Sequence, residues 1–372
     1  MEIRYPNYYK KFQCIAGDCP DTCCAGWEIP VDAASEKRYR TAVKSGAVKN
    51  KDFVRKLKKH VRDGRIISED VTCPFLNRDG LCEMYIELGP DSLCRTCARH
   101  PRHLEDYGNL QEMVLLMSCP EVARLILEEN DGGFYMRQYP ERQGNMDGIE
   151  EEFLELLLLM RELIWKIAGD GSMTVNQRMA YALALGHDVQ RRIQNGRSEE
   201  IPAVLERYGC AGAAERFFVN WKEHAQKESL QKKEFRKKPS RQSEDVLLAD
   251  LQEEFASLET VWQKWPDLNR ACQLKTVSQT EEKWSTVFAY YVYSFFLSAL
   301  YDGDVLTKIK MAVGCTWMTA EFAKASNVSD VEICYAAARQ IENSDENRRQ
   351  LERTMKKEAF GSRRFINALL ER

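Results

Sequence analysis

Apolar residues recur at every third or fourth position through most of the chain beyond residue 145. This spacing places them on one face of an α-helix, and the segments concerned have helical length and contain no proline. The pattern predicts helices over residues 148–169, 176–196, 243–265, 281–302, 304–325, 330–343 and 361–372. A polar stretch over residues 224–245 is expected to be a linker or a mobile loop. The pattern therefore favours a helical bundle over residues 145–372.

The first 130 residues show shorter and less regular patterns. The stretch GWEIPVD, residues 26–32, alternates like a short strand. Asp32 at its end can cap a helix that Gly46 terminates. A basic run over residues 49–65 is expected to form a second helix.

A turn and a strand–helix pair follow in the same region. The sequence NRDG, residues 77–80, is typical of a turn, so the thiols of Cys73 and Cys82 on either side can face each other. The stretch LQEMVLLM has a strand-like apolar character, and Ser118 after it is expected to cap a helix. A glutamate three positions after this serine would complete a capping box.

Composition and charge restrict the class of protein. The chain has 372 residues, enough for two domains, with 44% hydrophobic residues and a formal net charge of −3. The near-neutral charge gives no argument for a nucleic-acid partner. The start MEIRYPNYYKKFQC shows no apolar segment behind basic residues, so we expect no signal peptide and a cytoplasmic protein. The apolar segment over residues 287–300 is too short to span a bilayer, so we expect a buried helix and no membrane partner.

Cysteine is concentrated in the first third of the chain, where nine of the 13 cysteines precede residue 120. These nine are Cys14, Cys19, Cys23, Cys24, Cys73, Cys82, Cys94, Cys97 and Cys119. Disulfides are rare in a reducing cytosol, so clustered thiols there indicate metal binding or catalysis. The other four are scattered singly and are expected to be small core residues: Cys210, Cys272, Cys315 and Cys334.

The spacing of the clustered cysteines suits a metal centre held by turns. Cys19 and Cys23 have C-x3-C spacing, and Cys94 and Cys97 have C-x2-C spacing, as in sites for Zn²⁺ or iron–sulfur clusters. Soft thiolates without a carboxylate cluster disfavour Mg²⁺ and Ca²⁺. Nine thiols exceed the four that one zinc ion or one cubane needs, so either two sites exist or several thiols are structural. Spacing alone leaves zinc, iron–sulfur and metal-free buried thiols as alternatives.

Three cysteine-containing blocks, taken in order, carry a resemblance to a known family. They are FQCIAGDCPDTCCAGWEIPVD, CPFLNRDGLCEMYIELGPDSLCRTCARHPR and LMSCPEVARLIL. With the long helical region after them, they resemble the flagellin lysine-N-methylase family over about residues 5–127. The front part also resembles a wider group of cysteine-cluster proteins described as zinc- or iron-chelating.

The resemblance implies methyl transfer from S-adenosylmethionine to lysine ε-amines of flagellin, the protein substrate. It also implies a [4Fe–4S] cluster, with zinc as the alternative, held by the nine clustered cysteines. Radical S-adenosylmethionine enzymes share a C-x3-C-x2-C run. This chain has no cysteine at the third position of that run, so the class is excluded. No G-x-G-x-x-G loop follows a strand and opens a helix, so we expect no Rossmann methyltransferase domain. The donor is then expected to bind at the cysteine-rich domain.

Candidate donor-binding residues lie near the cysteines in sequence. A sulfonium and an ammonium both prefer aromatic faces, which makes Trp27, Tyr85 and Tyr107 candidates, although each is more often a core residue. Arg99 and Arg102 can hold the donor carboxylate bidentately. Arg102 is the better candidate of the two, because it lies in an HPR triplet that resembles the family pattern.

For the other polar residues near the cysteines, the sequence allows either a functional role or a solvent-exposed position without one. His100 or His103 can ligate a metal or act as a base, but solvation is the default. The basic run Lys51–Arg65 can steer an acidic partner or simply be a solvated helix face. A lysine with an unperturbed pKa of about 10.4 must be desolvated or meet a base before it attacks the donor.

These observations predict a mainly α protein with two domains. An irregular cysteine-rich metal-binding domain with short strands is expected over residues 1–130, and a helical-bundle domain over residues 145–372. The expected function is a protein-lysine N-methyltransferase. The alternatives are a non-enzymatic zinc- or iron-chelating or delivery protein, and a structural zinc module that places the helical half on a partner. The long helical half argues against simple chelation.

Overall fold

The computed structural model of the chain describes residues 1–25, 29–68, 72–128, 135–141, 144–235, 243–262, 264–271 and 280–370. Trp27 and Cys272, two of the residues singled out above, lie outside these ranges. Helices make up most of the described chain, which confirms the prediction of a mainly α protein.

The N-terminal region combines short strands with short helices. In chain order these are β1 (Glu2–Pro6), β2 (Ile29–Pro30), α1 (Ala33–Lys44), α2 (Lys51–His60), β3 (Val61–Arg62), β4 (Arg65–Ile66), α3 (Glu83–Leu88), α4 (Arg95–Arg99), β5 (Arg102–Tyr107), β6 (Leu110–Leu115), α5 (Pro120–Glu128) and β7 (Tyr135–Gln138). The predicted strand in LQEMVLLM is confirmed as β6.

Two small sheets organise these strands. The larger sheet has the order β5-β6-β1-β7, in which β1 runs parallel to β6 and antiparallel to β7. β5 and β6 form an antiparallel hairpin. The smaller sheet has the order β2-β4-β3 and is antiparallel.

The two N-terminal helices begin at side-chain caps. The Asp32 carboxylate accepts the backbone N–H of Ser35 at 3.0 Å, which confirms the predicted cap of α1. The helix ends at Lys44, before Gly46, whose φ of 69° lies in the left-handed region that glycine adopts at little cost. Asn50 caps α2 in the same way.

The basic helix is shorter than the sequence pattern predicted. Instead of continuing to residue 65, α2 ends at His60, and β3 and β4 form a hairpin after it. Asp63 and Gly64 at the tip have φ values of 56° and 70°. Positive φ at both central residues is the geometry of the two-residue hairpin turn that Asp-Gly favours, and it outweighs the helical propensity of the basic run.

The region after residue 145 is a set of packed helices. In chain order they are α6 (Glu151–Ala168), α7 (Val175–Gln194), α8 (Ile201–Gly209), α9 (Ala213–Phe235), α10 (Ser243–Ala256), α11 (Trp265–Ala271), α12 (Trp284–Phe295), α13 (Ala299–Asp302), α14 (Val305–Ala325), α15 (Asp330–Glu342), α16 (Asp345–Lys356) and α17 (Ser362–Leu370). The seven predicted helical segments each contain a helix, while α8, α9, α11 and α16 were not predicted. None of the described helices has the length and apolar character needed to cross a membrane.

The predicted linker over residues 224–245 is partly wrong. Residues 224–235 belong to α9, and residues 243–245 begin α10. The stretch 224–235 contains neither proline nor glycine and is rich in Lys, Glu and Gln, which are good helix formers. Its polarity reflects the composition of a helix rather than a loop.

The main hydrophobic core is built by both regions of the chain. α14 is buried along most of its length and packs against α7, α12, α15 and α16. The same core includes Tyr8 and Leu115 from the N-terminal region together with Phe288 of α12. The division into domains 1–130 and 145–372 stays a prediction.

A buried ion pair fixes the larger sheet to the bundle. Arg161 on α6 donates from Nη1 to the Glu112 carboxylate on β6 at 2.7 Å, and its second terminal nitrogen pairs with the other oxygen. Both side chains are buried. The guanidinium carbon also lies 5.1 Å from the ring centre of Tyr293.

Candidate functional site at the cysteine-rich junction

The first cysteines lie in short turns between β1 and β2. A 3₁₀ turn over Asn7–Lys11 buries Tyr8, and a second turn over Ala16–Asp18 leads into the cysteine stretch. The Cys19 thiol donates to the Asp21 carbonyl at 3.2 Å. Cys14 and Cys23 are exposed, while Cys19 and Cys24 are half-buried.

One arginine of the bundle holds this stretch in place. Arg339 on α15 is buried and donates from Nη2 to the carbonyl oxygens of Asp21 at 3.0 Å and Thr22 at 3.3 Å. Its Nε donates to the Ser118 carbonyl at 3.0 Å. One guanidinium therefore connects the chain just before Cys23 with the chain just before Cys119, because its donors form a rigid fork.

The Asp21 carboxylate strengthens this connection. Its Oδ2 atom lies 2.8 Å from Nη1 of Arg339 and accepts Nε1–H of Trp262 at 2.7 Å. Charge-assisted hydrogen bonds of this kind are stronger than neutral ones. The bundle thus contacts the cysteine stretch through two different side chains.

The residue that directly precedes α5 is Cys119, whereas the sequence pattern predicted Ser118 at this capping position. α5 begins at Pro120, so its capping residue is Cys119 and the predicted Ser118 cap is wrong. The Cys119 sulfur accepts the backbone N–H groups of Glu121 and Val122. Proline suits the first helical position, because the N–H that it lacks would have no partner in the helix.

A half-buried acid lies beside the same segment. Glu342, one turn after Arg339 on α15, accepts the Ser118 backbone N–H at 2.9 Å and the Tyr290 hydroxyl proton. The Tyr290 oxygen in turn accepts the Met117 backbone N–H at 2.9 Å. Burial raises the pKa of the Glu342 carboxyl to about 7.

The remaining clustered cysteines line a smaller core in the N-terminal region. Cys73, Cys82, Cys94 and Cys97 pack against a set that includes Phe53 and Phe75. The predicted NRDG turn is confirmed between Cys73 and Cys82, with the Asn77 N–H donating to the Leu81 carbonyl at 2.9 Å. Cys94 caps α4. Burial raises the pKa of the Cys73 thiol to about 12.

Two pairs of thiols are hydrogen-bonded to each other. In the first pair, Cys23 interacts with Cys24, which lowers the pKa of Cys24 to about 7. In the second pair, Cys97 interacts with Cys94, which lowers the pKa of Cys94 to about 7. One sulfur of each pair therefore takes the thiolate form more readily, and thiolates are the form that binds metal.

The two arginines proposed for donor binding differ in their surroundings. Arg102, at the start of β5, stacks on aromatic rings of the N-terminal segment, 4.8 Å from the ring centre of Phe12 and 5.9 Å from that of Tyr9. Arg99 is the exposed last residue of α4 and acts on Tyr9 electrostatically. The structure thus brings both arginines near Tyr9.

The pKa values of His100 and His103 are shifted in opposite directions from the ordinary histidine value. His100 is half-buried, and desolvation together with the charge of Arg339 lowers its pKa to about 4. His103 is exposed and bonded to Glu105 at 2.9 Å, and this bond raises its pKa. His100 is therefore a neutral imidazole at neutral pH, the form that ligates metals.

The two aromatic candidates that the structure describes, Tyr85 and Tyr107, lie on different elements. Tyr107 lies at the far end of β5 from Arg102, is buried, and stacks on Tyr301 with ring centres 6.4 Å apart. Tyr85 is 51% exposed on α3. The aromatic faces that do lie beside Arg102 belong to Tyr9 and Phe12, which the sequence reasoning did not single out.

The later cysteines fall into different environments. Cys315 and Cys334 are buried, which confirms their prediction as core residues. Cys210 is exposed, so that prediction is wrong for it. It follows α8, donates to the Arg207 carbonyl at 3.2 Å and accepts from Arg216 at 3.1 Å.

The nine clustered thiols have the chemistry that soft metal ions prefer, but their side chains are not gathered around one point in the described structure. The nine thiols have no carboxylate cluster among them, and thiolate ligands select zinc or iron–sulfur clusters over Mg²⁺ and Ca²⁺. Across the described residues, no three Cys, His, Asp or Glu side chains converge closely enough to hold one metal ion. A cubane, whose four irons occupy the centre, spaces its thiolates more widely than a single ion does.

The residues that sequence reasoning missed come from the bundle. Arg339 and Glu342 occur in the buried helix sequence ICYAAARQIE, where two charged residues interrupt apolar ones. A charge within an apolar helical face is a signal of a buried partner. The sequence gives no indication that this partner is the backbone at Asp21 and Ser118.

The region that holds the cysteine loops matches a known family. A profile of the FliB lysine N-methylase C-terminal domain matches residues 161–369, which include Arg339, Trp262 and Tyr290. No solved structure matches the chain.

Curated relatives are also found. The lysine-N-methylases of Salmonella choleraesuis and Salmonella typhimurium are each 32% identical over 135 residues, 35% of this chain and 34% of the relative. The flagellar biosynthetic protein FliU of Salmonella muenchen is 32% identical over 135 residues, 35% of this chain and 80% of the relative. The match thus spans about a third of the length of the two lysine-N-methylases. Since the family profile covers more than half of the chain, the chain belongs to the FliB lysine N-methylase family.

Proposed function

We propose that this chain is a protein-lysine N-methyltransferase that uses S-adenosylmethionine, acts on flagellin and binds a [4Fe–4S] cluster through its N-terminal cysteines. The names of its relatives, lysine-N-methylase and flagellar biosynthetic protein, support the reaction and the flagellar connection. The observation that carries the proposal is the Arg339 contact, because it joins the cysteine-bearing loops to the family-matched bundle. A chelating module alone would not need such an attachment.

The junction set, defined as Cys14, Cys19, Cys23 and Cys119, is the proposed location of the cluster. These thiols are electrostatic neighbours of one another, and two of them follow backbone held by Arg339. When bound, the cluster supplies an iron that can contact the amino-acid group of the donor. His100, neutral at neutral pH, lies within the electrostatic reach of Arg339.

The chain's own residues would bind and orient the two substrates. Arg102 offers a guanidinium for the donor carboxylate, and Tyr9 and Phe12 beside it offer ring faces to the sulfonium. The substrate lysine must lose its proton, and an apolar site lowers its pKa by desolvation. Displacement at the methyl carbon then needs in-line positioning rather than a covalent intermediate.

A donor site outside a Rossmann domain is part of this proposal. In the described sheet, only β1 and β6 pair in parallel, while the other strand pairs are antiparallel. Rossmann domains bind their ligands at the carboxyl ends of several adjacent parallel strands. The observed sheet therefore supports a donor site other than a Rossmann crevice.

The proposal is tested by methyl transfer. Protein purified without oxygen is incubated with flagellin and methyl-labelled S-adenosylmethionine, and flagellin lysines are analysed by mass spectrometry. We expect labelled lysines, and loss of labelling with Cys23→Ser but not with Cys210→Ser, whose exposed thiol lies on the bundle. Unlabelled flagellin with fully metal-loaded protein would overturn the proposal.

The alternative function is metal delivery without catalysis. The exposure of Cys14 and Cys23 favours it, because a delivery protein must release its metal to a partner. Rapid transfer of bound metal to a chelating acceptor, together with no methyl transfer, would establish this alternative. Slow release with methyl transfer supports the enzyme.

A further inference from the structure

A groove lies between the outer faces of α1 and α2 in the N-terminal region, and it is here called the α1–α2 groove. Its volume is about 510 Å³, which is within the range of clefts that bind ligands. The mechanism proposed above gives this groove no role. Eight residues line it: Glu36, Tyr39, Arg40, Val43, Lys44, Leu57, Lys58 and Val61.

The floor of the groove is apolar, because each helix turns a stripe of apolar residues toward it. Tyr39 and Val43 are four positions apart on α1, and Leu57 of α2 is four positions before Val61. Tyr39 and Leu57 are buried, whereas Val43 and Val61 are only half-buried. Apolar surface therefore remains open in the floor, where it can contact an apolar side chain of a partner.

The rim of the groove is cationic. Arg40, Lys44 and Lys58 are exposed. Among the eight lining residues Glu36 alone is acidic, and it pairs with Arg40. Lys44 and Lys58 have no ion-pair partner among the residues that the structure describes. Two ammonium groups on the rim are thus available to an acidic partner.

Positive charge is concentrated in this part of the chain. Residues 33–65 contain 12 Lys and Arg residues and three Asp and Glu residues, an excess of nine positive charges. The rest of the chain contains 42 Lys and Arg residues and 54 Asp and Glu residues, a net charge of −12. A long polyanion that extends beyond the two helices would be repelled by this negative charge, whereas a short acidic segment matches the cationic area.

The α1–α2 groove belongs to the cysteine-rich region. Tyr39 and Leu57 of its floor are members of the same small core as Cys94 and Cys97. A protein segment in the groove is therefore anchored on the region to which the proposed function assigns the methyl donor. This location favours the protein substrate as the occupant.

We infer that the α1–α2 groove binds a short acidic segment of the protein substrate. An apolar side chain of this segment contacts Val43 and Val61, and carboxylates beside it pair with Lys44 and Lys58. The identity of the partner as the methylated protein rests on the proposed function, whereas the binding of an acidic peptide does not.

Exposed ion pairs determine the character of this binding. Each pair is weak because solvent screens it, but several together speed the encounter and select acidic partners. We therefore expect the affinity to fall as the salt concentration rises. The apolar contact with the floor then distinguishes a segment that carries an apolar side chain from one that is acidic throughout.

Peptide binding to the full chain tests the inference by fluorescence anisotropy. The probe is a short labelled peptide of glutamates around one leucine, and the comparison peptide has glutamine at each glutamate position. Wild-type protein should bind the acidic peptide more tightly than the glutamine peptide. Lys44→Glu with Lys58→Glu should weaken binding of the acidic peptide about tenfold, because two attractions become two repulsions.

A matched double variant controls for net charge. Lys49→Glu with Lys59→Glu makes the same change in charge at exposed positions that do not line the groove, and it should leave the affinity nearly unchanged. Since all four lysines are exposed, both double variants should fold, and thermal unfolding checks this. Equal losses in the two double variants, or equal binding of the two peptides by the wild type, would overturn the inference.

Other anionic partners are tested with the same proteins. The probes are phosphatidylserine vesicles and a single-stranded oligonucleotide. Tighter binding of the acidic peptide than of either probe supports the inference. Binding of vesicles or oligonucleotide that Lys44→Glu with Lys58→Glu abolishes, without binding of the acidic peptide, would overturn it in favour of that partner.

Kinetics relate the groove to methyl transfer. With flagellin as the substrate, Lys44→Glu with Lys58→Glu should raise KM about tenfold, with a smaller effect on kcat. Lys49→Glu with Lys59→Glu should resemble the wild type. Methyl transfer that is equal in the two double variants would refute the inference and leave the proposed function standing. No methyl transfer by the wild type, together with groove-dependent binding of the acidic peptide, would refute the proposed function and still support a peptide site in the groove.

Discussion

Arg339 is the single residue on which the geometry of the junction depends most. It donates to three carbonyl oxygens on two separate loops and pairs with Asp21. We expect Arg339→Gln to lower the metal content of the junction set and to increase the alkylation rates of Cys23 and Cys119. Arg339→Lys should not restore either property, because one ammonium cannot span both loops as the planar fork does.

The control for this variant is an exposed arginine on the neighbouring helix. Arg348 on α16 pairs only loosely with Asp345, at 3.3 Å, and both side chains are largely exposed. Arg348→Gln should leave metal content and alkylation unchanged. If Arg339→Lys behaves like the wild type, charge rather than the three hydrogen bonds positions the loops.

Two residues near the junction make opposite contributions to the pH dependence of stability. The pKa of Glu342 is raised from 4.5 to about 7, so the folded chain binds more protons than the unfolded chain between these values. The free energy of unfolding then falls as pH rises through this window. The pKa of His100 is lowered from 6.5 to about 4, so here the unfolded chain binds more protons and stability rises with pH.

Substitution separates the two contributions. Relative to the wild type, Glu342→Gln should gain stability as pH rises from 4.5 to 7. His100→Gln should lose stability relative to the wild type as pH rises from 4 to 6.5. Urea denaturation at several pH values measures both differences. Parallel curves for wild type and variant would show that the substituted group has the same pKa in both states.

At the scale of elements, the buried ion pair between β6 and α6 leads to a prediction about the free energy of unfolding. Arg161→Met leaves the Glu112 carboxylate buried without its partner. Removal of one member of a buried ion pair costs about 3–5 kcal/mol of unfolding free energy. Replacement of both residues, as Glu112→Gln with Arg161→Met, should cost less than the sum of the single changes.

A surface ion pair provides the comparison for this cost. Arg207 is 56% exposed and pairs with Asp188. Arg207→Met should lower the unfolding free energy by about 1 kcal/mol or less, because solvent screens exposed pairs. If Arg161→Met and Arg207→Met lower the unfolding free energy equally in urea denaturation, the loss of a buried partner costs no more than the loss of an exposed one.

Elements with strong local signals could be predicted from sequence, and those decided by competing signals could not. The cap at Asp32 and the turn over residues 77–80 follow from side chains a few positions apart. The end of α2 is decided by competition between the helical propensity of a basic run and a two-residue turn at Asp63 and Gly64. α9 was missed because its polar residues suggested a linker, although they are also helix formers.

The candidate site shows the same limit more clearly. The clustering of cysteines is visible in the sequence, but the sequence does not show that Cys119 packs against the main core while Cys73, Cys82, Cys94 and Cys97 belong to the smaller one. Arg339 lies more than 300 residues from Asp21, and its partners there are backbone carbonyls, which carry no residue-type signal. Sequence reasoning therefore found the thiols and missed the side chains that position them.

At the scale of the whole molecule, neither predicted domain is expected to fold alone. The main core contains residues of both, and residues 145–372 alone would expose the surface that Leu115 and Tyr8 cover. They would also leave Arg161 without its carboxylate. Thermal unfolding of residues 145–372 should therefore be broad and lower in temperature than that of the full chain.

The two pieces should recover their stability together. The shared core and the Arg339 and Arg161 contacts supply a specific interface, so co-expressed residues 1–130 and 145–372 should copurify. Arg339→Gln in the longer piece should weaken this association, while Arg348→Gln should not. A longer piece that unfolds as cooperatively as the full chain, and at the same temperature, would mean that the bundle is independent of the cysteine region. The contact at Arg339 would then position the loops without contributing to the stability of the bundle.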